Sequence, residues 1–212
     1  MIRTEAEARD WIAGLPEWSD EAGYRLERLV RELADENGRQ NLVSATSLRE
    51  VWLRHIGDSA QLLRHVPRET RTWLDLGTGA GFPGLVVAIM RPDAEVHLVE
   101  SRKRRVEWLE DVSQLLGLER VVVHGVRLEQ LDGFPVDAIS ARAFAPLEKL
   151  LTLSARFSTS DTVWLLPKGR SAAQELDELR GWRHEFHVEQ SLTDPEAGII
   201  VGKLSGRKGK RS

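Results

Sequence analysis

The sequence predicts an α/β fold in which a mostly parallel sheet ends on an antiparallel hairpin and a helical extension precedes the sheet. Apolar residues follow helical spacing in the first 67 residues. From residue 72 onward, short apolar segments alternate with helix-like segments, which is typical of βαβ units and a parallel sheet. The last two strand-like segments have no helix between them, so the sheet is expected to finish on a hairpin.

The helical extension contains clear start and stop signals. Ser19, followed by two acidic residues, is a favourable helix start, and Gly38 is a favourable stop. Residues 47–50 read Ser-Leu-Arg-Glu, which has the spacing of a capping box. This box is predicted to open a further helix that ends at Pro67.

The sheet region is divided by the same patterns. Five strands are predicted before the hairpin, at residues 72–76, 95–100, 121–124, 136–141 and 162–166. Four helices are predicted in the same region, at residues 84–90, 102–116, 146–157 and 172–181. The two hairpin strands are predicted at residues 183–190 and 198–204.

Composition excludes several classes of function. The 212 residues include no cysteine, which excludes disulfides, thiolate metal sites and cysteine nucleophiles. No apolar run approaches the roughly 20 residues of a membrane span, and the acidic N-terminal segment lacks the apolar core of a signal peptide. The default expectation is a cytoplasmic protein with no metal site and no membrane partner.

The most specific local pattern is a glycine loop directly after the first predicted strand. Residues 74–84 read Leu-Asp-Leu-Gly-Thr-Gly-Ala-Gly-Phe-Pro-Gly and lead into a predicted helix. Glycine permits a tight turn and lets a ligand approach bare backbone, and the start of the next helix adds unpaired N–H groups. Four glycines in such a short segment indicate a ligand site rather than a structural turn alone.

Two cofactors compete for this loop. Gly79, Gly81 and Gly84 match the dinucleotide fingerprint of NAD enzymes, and Glu100 follows at about 20 positions, where an acid that binds a ribose is expected. Asp75 argues against NAD, because a carboxylate is unfavourable beside a pyrophosphate. It suits the cationic sulfonium and amino groups of S-adenosylmethionine. The site chemistry favours S-adenosylmethionine, with Glu100 accepting from the ribose hydroxyls in either case.

The sequence also narrows the methyl acceptor. Because the chain has no cysteine, methylation of a pyrimidine C5 through a thiolate adduct is excluded. The fourth predicted strand is not followed by an Asn/Asp-Pro-Pro-aromatic segment, which orients an exocyclic amine. It ends instead near Arg142, which is expected at the carboxyl edge of the sheet, within reach of a cofactor carboxylate or a phosphate. A guanine N7 has no proton to lose, so its methylation needs alignment and no general base.

Seven motifs are distributed along nearly the whole chain. They are Asn41-Leu42, Arg54-His55-x-x-Asp58-Ser59, the glycine loop, Lys103-Arg104, Arg127-Leu128-Glu129, residues 140–144 and Lys168-Gly169. This combination resembles the bacterial small-subunit ribosomal RNA guanine-N7 methyltransferases, the RsmG or GidB family. The glycine loop alone indicates a methyltransferase, and the motifs on either side of it make the resemblance specific.

The resemblance implies a class I S-adenosylmethionine-dependent methyltransferase, Rossmann-like, with an N-terminal helical extension. The expected division is a helical extension at 1–67, packed on the methyltransferase domain at 68–205, and a basic tail at 206–212. The implied activity is transfer of a methyl group to N7 of a single guanine in the decoding-region loop of 16S ribosomal RNA, nucleotide 527 in conventional 16S numbering. The implied partner is 16S ribosomal RNA or the small ribosomal subunit, and no obligate protein partner is expected.

Loop chemistry and resemblance together define the expected cofactor-binding residues. The loop and its ribose acid contribute Asp75, Gly77, Gly79, Gly81 and Glu100. The resemblance again points to Gly77 and adds Phe82, Leu128, Glu129 and Arg142. Arg142 is also expected to position the reactants during catalysis.

Basic side chains are the candidate RNA contacts. One cluster is Arg102, Lys103, Arg104 and Arg105, and the tail adds Lys208, Lys210 and Arg211. A solvated surface is the simplest interpretation, although cations at a helix start are electrostatically unfavourable and so favour a functional reason. Arg54 and His55 can each contact Asp58 along a helix, which from sequence alone indicates a local ion pair. The resemblance adds Arg54, His55 and Lys168 to the expected RNA contacts.

Alternatives from other classes stay open on sequence alone. One is a nucleic-acid-binding module without catalysis, against which the intact loop and Glu100 argue. Another is an NAD-dependent oxidoreductase, for which no Tyr-x-x-x-Lys motif is present. A methyltransferase that acts on another RNA base is the remaining alternative.

Overall fold

Eight strands form one sheet within residues 1–208, the part of the chain that the computed structural model describes. The strands are β1 (Thr72–Leu76), β2 (Glu95–Val99), β3 (Val121–His124), β4 (Val136–Ser140), β5 (Ser158–Gly169), β6 (Trp182–His184), β7 (His187–Gln190) and β8 (Gly198–Arg207). Their order across the sheet is β3-β2-β1-β4-β5-β8-β6, with β7 also paired to β8.

The sheet is parallel from β1 to β5 and antiparallel at its end. Strands β5, β6 and β7 each pair antiparallel with β8, which confirms the predicted mostly parallel sheet with a final hairpin. In the centre, Asp75 on β1 is in register with Leu98 on β2 and with Ser140 on β4. Two polar side chains therefore lie side by side near the carboxyl ends of β1 and β4.

Helices cover both faces of the sheet. They are α1 (Glu5–Ala13), α2 (Asp20–Asn37), α3 (Ala45–Arg49), α4 (Asp58–Ala60), α5 (Gly84–Met90), α6 (Lys103–Leu115), α7 (Leu147–Ser154) and α8 (Ala172–Glu178). A π-helical segment, Trp52–Gly57, lies just before α4, and Gln61–His65, Leu128–Gln130 and Ala155–Phe157 form 3-10 turns.

The N-terminal helices share a core with one face of the sheet. Leu26 and Leu29 on α2 are fully buried, in the same apolar cluster as Leu85 on α5 and Leu109 on α6. A second cluster on the opposite face contains side chains such as Leu150 on α7. Burial of this apolar surface is the main favourable contribution to folding, so the helical extension and the sheet stabilise each other.

Several boundaries differ from prediction for identifiable reasons. The predicted capping box at 47–50 is wrong, because Ser44 caps α3 and its Oγ accepts from the Ser47 N–H at 3.1 Å. Strand β5 continues through Pro167, because β4 pairs with β5 only as far as Leu165. Beyond that point the missing N–H of proline costs no ladder bond with β4. Strand β8 extends to Arg207, and the predicted strand 183–190 is two strands, β6 and β7.

Within residues 1–208, no helix has both the length and the apolar character needed to cross a membrane.

Candidate active site

The carboxyl ends of β1, β2 and β4 bring three chain segments together. The glycine loop follows β1, Glu100 follows β2, and the loop formed by residues 142–146 follows β4. Ligands of open α/β sheets bind at this edge. Two neighbouring cavities lie here, and we call them the glycine-loop cavity and the Arg142 cavity.

The glycine loop is held by its own backbone and by β2. The Thr78 N–H donates to the Val99 carbonyl at 3.1 Å, and the Gly81 N–H donates to the Thr78 carbonyl at 2.9 Å. Gly77 has a φ of +63°, a left-handed conformation that glycine adopts without strain. The ring of Phe144 lies directly against Gly77, so there is no room for a side chain at that position.

The Asp75 carboxylate is buried and bonded to groups of the protein. Its side chain is 0% exposed, Oδ1 accepts from the Ser140 hydroxyl at 2.7 Å, and Oδ2 accepts from the Gly84 N–H at 3.0 Å. Burial raises the pKa of the Asp75 carboxyl, and these hydrogen bonds act in the opposite direction. This arrangement differs from the expected direct contact with a cofactor cation. Asp75 instead holds the start of α5 and the end of β4 to β1.

The glycine-loop cavity has a volume of about 400 Å³, and Gly77, Glu100, Leu128 and Glu129 are among its lining residues. Glu100 Oε1 accepts from the backbone N–H groups of Ser101 at 2.7 Å and Arg102 at 2.8 Å. The cavity therefore gathers four of the predicted cofactor-binding residues, drawn from three separate connections of the sheet.

Cations surround this cavity more fully than the sequence indicated. Arg102 and Arg105 line it as predicted cluster members, and Arg127 and Lys149 also line it. Arg105 lies 3.6 Å from Glu100 Oε2. Its guanidinium also packs against Gly79, on the side where another residue would carry its Cβ. Lys103 and Arg104 are exposed on α6 outside the cavity, and Arg104 donates to the Arg39 carbonyl at 3.0 Å.

The Arg142 cavity has a volume of about 600 Å³ and joins the sheet edge to the helical extension. Arg142 lies 3.5 Å from the Asp58 carboxylate and donates to the Arg54 carbonyl at 3.3 Å and to the His55 Nδ1 at 3.2 Å. The motif Arg54-His55-x-x-Asp58 is therefore more than a local ion pair. Its residues provide the acceptors that bind the Arg142 guanidinium.

His55 is neutral at physiological pH. Its side chain is 7% exposed and stacks on Phe82, with 5.0 Å between ring centroids. Burial lowers the pKa of His55 to about 3, and the nearby charges of Arg142 and Arg54 add to this effect. Because Arg142 donates to Nδ1, the ring proton belongs on Nε2. Phe82, predicted as a cofactor contact, is 1% exposed and lies beneath His55 and Arg142 instead.

Lys168 lines the Arg142 cavity, but its ammonium group is already paired with a carboxylate of the protein. Its side chain is 8% exposed, and its Nζ lies 3.0 Å from Glu175 Oε2 and donates to the Ala145 carbonyl at 2.6 Å. The sequence predicted an RNA contact for Lys168, whereas in the structure its ammonium group lies in an internal ion pair.

Lys208 is placed far from the other predicted RNA contacts. Strand β8 begins beside the carboxyl end of β5, where Gly198 pairs with Gly169, and it runs antiparallel. It therefore ends, just before Lys208, at the opposite edge of the sheet from the glycine loop. Lys210 and Arg211 lie outside the described residues.

Two residues of the 140–144 motif have roles in the site that the sequence did not predict. Ser140 accepts from the Trp73 indole N–H at 2.8 Å while donating to Asp75, so it links β1 and β4. The sequence feature that could have indicated this role is a polar residue at the end of a buried strand, in register with Asp75. Phe144 lines both cavities, and only the course of the 142–146 loop reveals that role.

The fold is that of S-adenosylmethionine-dependent methyltransferases. A solved structure of such a methyltransferase from Aquifex aeolicus superposes with a TM-score of 0.55 and 18% identity, covering 69% of this chain and 89% of that one. A mutant of MtNAS in complex with S-adenosylmethionine superposes with a TM-score of 0.55 and 17% identity, covering 94% of this chain and 77% of that one. The sheet order and the glycine loop at its carboxyl edge define the same class.

The chain belongs to the GidB family, described as rRNA small subunit methyltransferase G, whose model matches residues 23–193. Ribosomal RNA small subunit methyltransferase G of Erythrobacter litoralis is 62% identical over 96% of this chain and 98% of its own length. The protein of the same name from Novosphingobium aromaticivorans is 56% identical over 97% of this chain and 90% of its own length. The resemblance and the cofactor predicted from sequence, S-adenosylmethionine, are thereby confirmed.

Proposed function

We propose that this protein transfers a methyl group from S-adenosylmethionine to N7 of a single guanine in the decoding-region loop of 16S ribosomal RNA, nucleotide 527 in conventional 16S numbering. The proposal rests on the family and on two adjoining cavities at the carboxyl edge of the sheet. The substrate is free 16S RNA or the small ribosomal subunit, which locates the reaction in the cytoplasm.

The glycine-loop cavity fits the cofactor. Its volume of about 400 Å³ is within the range of ordinary small-molecule sites, roughly 300–1,000 Å³. Glu100 can accept hydrogen bonds from two ribose hydroxyls, and Gly77 permits close approach to the backbone. When bound, S-adenosylmethionine supplies an electrophilic methyl group on a sulfonium.

The Arg142 cavity fits an RNA base with its phosphate. A base inside RNA must leave its stack before an enzyme can reach a ring nitrogen. The cavity, with a volume of about 600 Å³, can accept a base, and the guanidinium groups of Arg54 and Arg142 lie on its lining. The Arg54 side chain is 43% exposed and its carboxylate neighbours lie 3.5 Å or more away, so its guanidinium can bind phosphate oxygens bidentately.

One observation supports N7 over an acceptor that must lose a proton. Among the described residues that line the Arg142 cavity, each carboxylate already has partners. Asp58 accepts from Gln61 and Thr193, Asp194 lies within 3.5 Å of Arg54, and Glu175 is paired with Lys168. The low pKa of His55, about 3, makes it a weak base near neutral pH. A lone-pair nucleophile such as N7 needs alignment alone.

The test is methylation in vitro. The purified protein is incubated with S-adenosylmethionine and with small subunits or 16S RNA from cells that lack the endogenous enzyme. N7-methylguanosine is then located by chain cleavage after borohydride reduction, and by mass mapping. We expect one new N7-methylguanosine, at nucleotide 527. Methylation of another base, or none on either substrate, would overturn the proposal.

A further inference from the structure

The 142–146 loop separates the two cavities. Phe144 and Ala145 line both of them, and the Phe144 ring lies against Gly77 on the glycine-loop side. Arg142, at the start of the same loop, faces the Arg142 cavity. The position of this loop therefore controls how the contents of the two cavities face each other.

The backbone of this loop has few hydrogen bonds of its own. Outside the helices and the sheet, residues 142–145 make no backbone–backbone hydrogen bond within the described part of the chain. Ala143 has a φ of 52°, in the left-handed region that residues with a Cβ rarely adopt. Such a conformation persists only where surrounding groups impose it.

Two side chains grip the far end of the loop. Lys168 on β5 donates to the Ala145 carbonyl at 2.6 Å, and Glu175 on α8 accepts from the Leu147 N–H at 2.8 Å. The two charges lie 3.0 Å apart, with Lys168 buried and Glu175 half-buried. Glu175 is itself steadied by the Ser171 hydroxyl at 2.7 Å. Removing one partner of an ion pair shielded from water leaves the other charge uncompensated, which is strongly unfavourable.

We propose that Lys168 and Glu175 are positioning residues for methyl transfer, which clamp the 142–146 loop so that Arg142 and Phe144 keep the two cavities aligned. The proposal rests on the proposed function for the reaction, but the clamp itself is independent of it. Neither residue acts on the reacting atoms. They act through the loop, because a misplacement of about 1 Å can reduce a transfer rate about a hundredfold.

The test compares Lys168→Met, Glu175→Gln and the double variant, which leaves no unpaired buried charge. Lys168→Arg is the conservative variant. Glu178→Gln is the matched control, because Glu178 lies on the same helix, is exposed and bonds only to Gln174 in the described structure. The first readout is the rate of tryptic cleavage after Arg142 in the full-length protein. The second is the single-turnover rate with saturating RNA and S-adenosylmethionine.

We expect cleavage after Arg142 to be about tenfold faster in the two single variants and the double variant, because the loop opens more often. Single-turnover rates should fall by about tenfold or more in the same proteins, with partial recovery in Lys168→Arg and no change in Glu178→Gln. Cleavage and transfer at wild-type rates in Glu175→Gln and in the double variant would overturn the clamp.

A direct contact of Lys168 with RNA phosphate predicts a different result. Lys168→Met would then weaken RNA binding while Glu175→Gln strengthened or preserved it, whereas a clamp predicts parallel effects of the two changes. Opposite effects would overturn the proposal. If the wild-type protein methylates no RNA, the proposed function fails, and the cleavage rates still decide whether the ion pair holds the loop.

Discussion

Glu100 shows how one side chain can serve both the fold and the site. Its Oε1 accepts from two backbone N–H groups at the start of α6, while Oε2 lies 3.6 Å from Arg105 at the glycine-loop cavity. A carboxylate at the start of a helix is stabilised by the unpaired N–H groups there. The same carboxylate is the expected partner of the ribose.

Replacement of Glu100 should therefore have two measurable effects. Glu100→Ala should weaken binding of S-adenosylhomocysteine by roughly 1–3 kcal/mol, because the ribose hydroxyls lose their acceptor. It should also lower the melting temperature without ligand, because the N–H groups of Ser101 and Arg102 lose their acceptor. Glu100→Gln keeps an oxygen for the two amides and should preserve the melting temperature. Calorimetric titration that gives wild-type affinity for Glu100→Ala would show that the ribose lies elsewhere.

The low pKa of His55 predicts a specific pH dependence of stability. The pKa is about 3 in the folded protein and about 6.5 in an unfolded chain. Below pH 6.5 the unfolded chain binds the additional proton, so the contribution of neutral His55 is present above pH 6.5 and is lost as the pH falls toward 3.

Urea unfolding at pH 7.5 and pH 5 can isolate this effect. The wild type should lose about 2 kcal/mol more stability over this range than His55→Gln, in which no imidazole titrates at this position. The comparison cancels the contributions of the other histidines. An equal loss in both proteins would show that His55 is protonated in the folded state.

At the scale of elements, Arg142 connects the end of β4 to the π-helical segment and to α4. Its guanidinium reaches the Arg54 carbonyl, the His55 ring and the Asp58 carboxylate. π-Helical segments are rare and are often found at functional sites. Here the segment presents a carbonyl and a ring nitrogen on one side, as acceptors for a planar donor.

Substitution of Arg142 should separate charge from geometry. Lys keeps the charge but has no planar fork, so it cannot reproduce the fixed directions in which the guanidinium meets its three acceptors. We expect Arg142→Lys and Arg142→Ala both to reduce the single-turnover rate of methyl transfer by about a hundredfold, because the reactants lose alignment. The proteins should remain folded by circular dichroism. A near-normal rate in Arg142→Ala would remove this residue from the mechanism.

At the scale of the whole molecule, the cations considered for RNA binding lie at two opposite edges of the sheet. Arg102, Arg105, Arg127 and Lys149 surround the glycine-loop cavity, whereas Lys208 lies at the opposite edge of the sheet. A net charge of −3 gives no general attraction to a polyanion. RNA affinity must therefore come from the local arrangement of cations.

The salt dependence of RNA binding tests this arrangement. Neutralising a contact with phosphate reduces the slope of log affinity against log salt by about 0.7–0.9 per contact. Arg102→Ala should reduce the slope by that amount, while Lys208→Ala, a matched loss of one cation at the opposite edge, should leave it unchanged. A reduced slope in Lys208→Ala would show that RNA also reaches the far edge.

The sequence by itself determined most of the strands and helices, the parallel sheet and the ligand-binding character of the glycine loop. Strand periodicity, glycine spacing and an acid at the end of β2 are local signals, which depend on contacts within a few residues. They were sufficient for the cofactor and for the placement of Gly77 and Glu100 at one cavity. The motif at residues 54–58 was visible, but its partner was not.

Only the tertiary structure decided which side chains meet across the sheet. Arg142 and His55 are 87 positions apart, and their contact depends on how the helical extension packs on β4. The burial of Asp75, the ion pair of Lys168 with Glu175 and the remote position of Lys208 have the same origin. Strand register and direction fix which side chains share an edge of the sheet, and these follow from packing of the entire core rather than from local pattern.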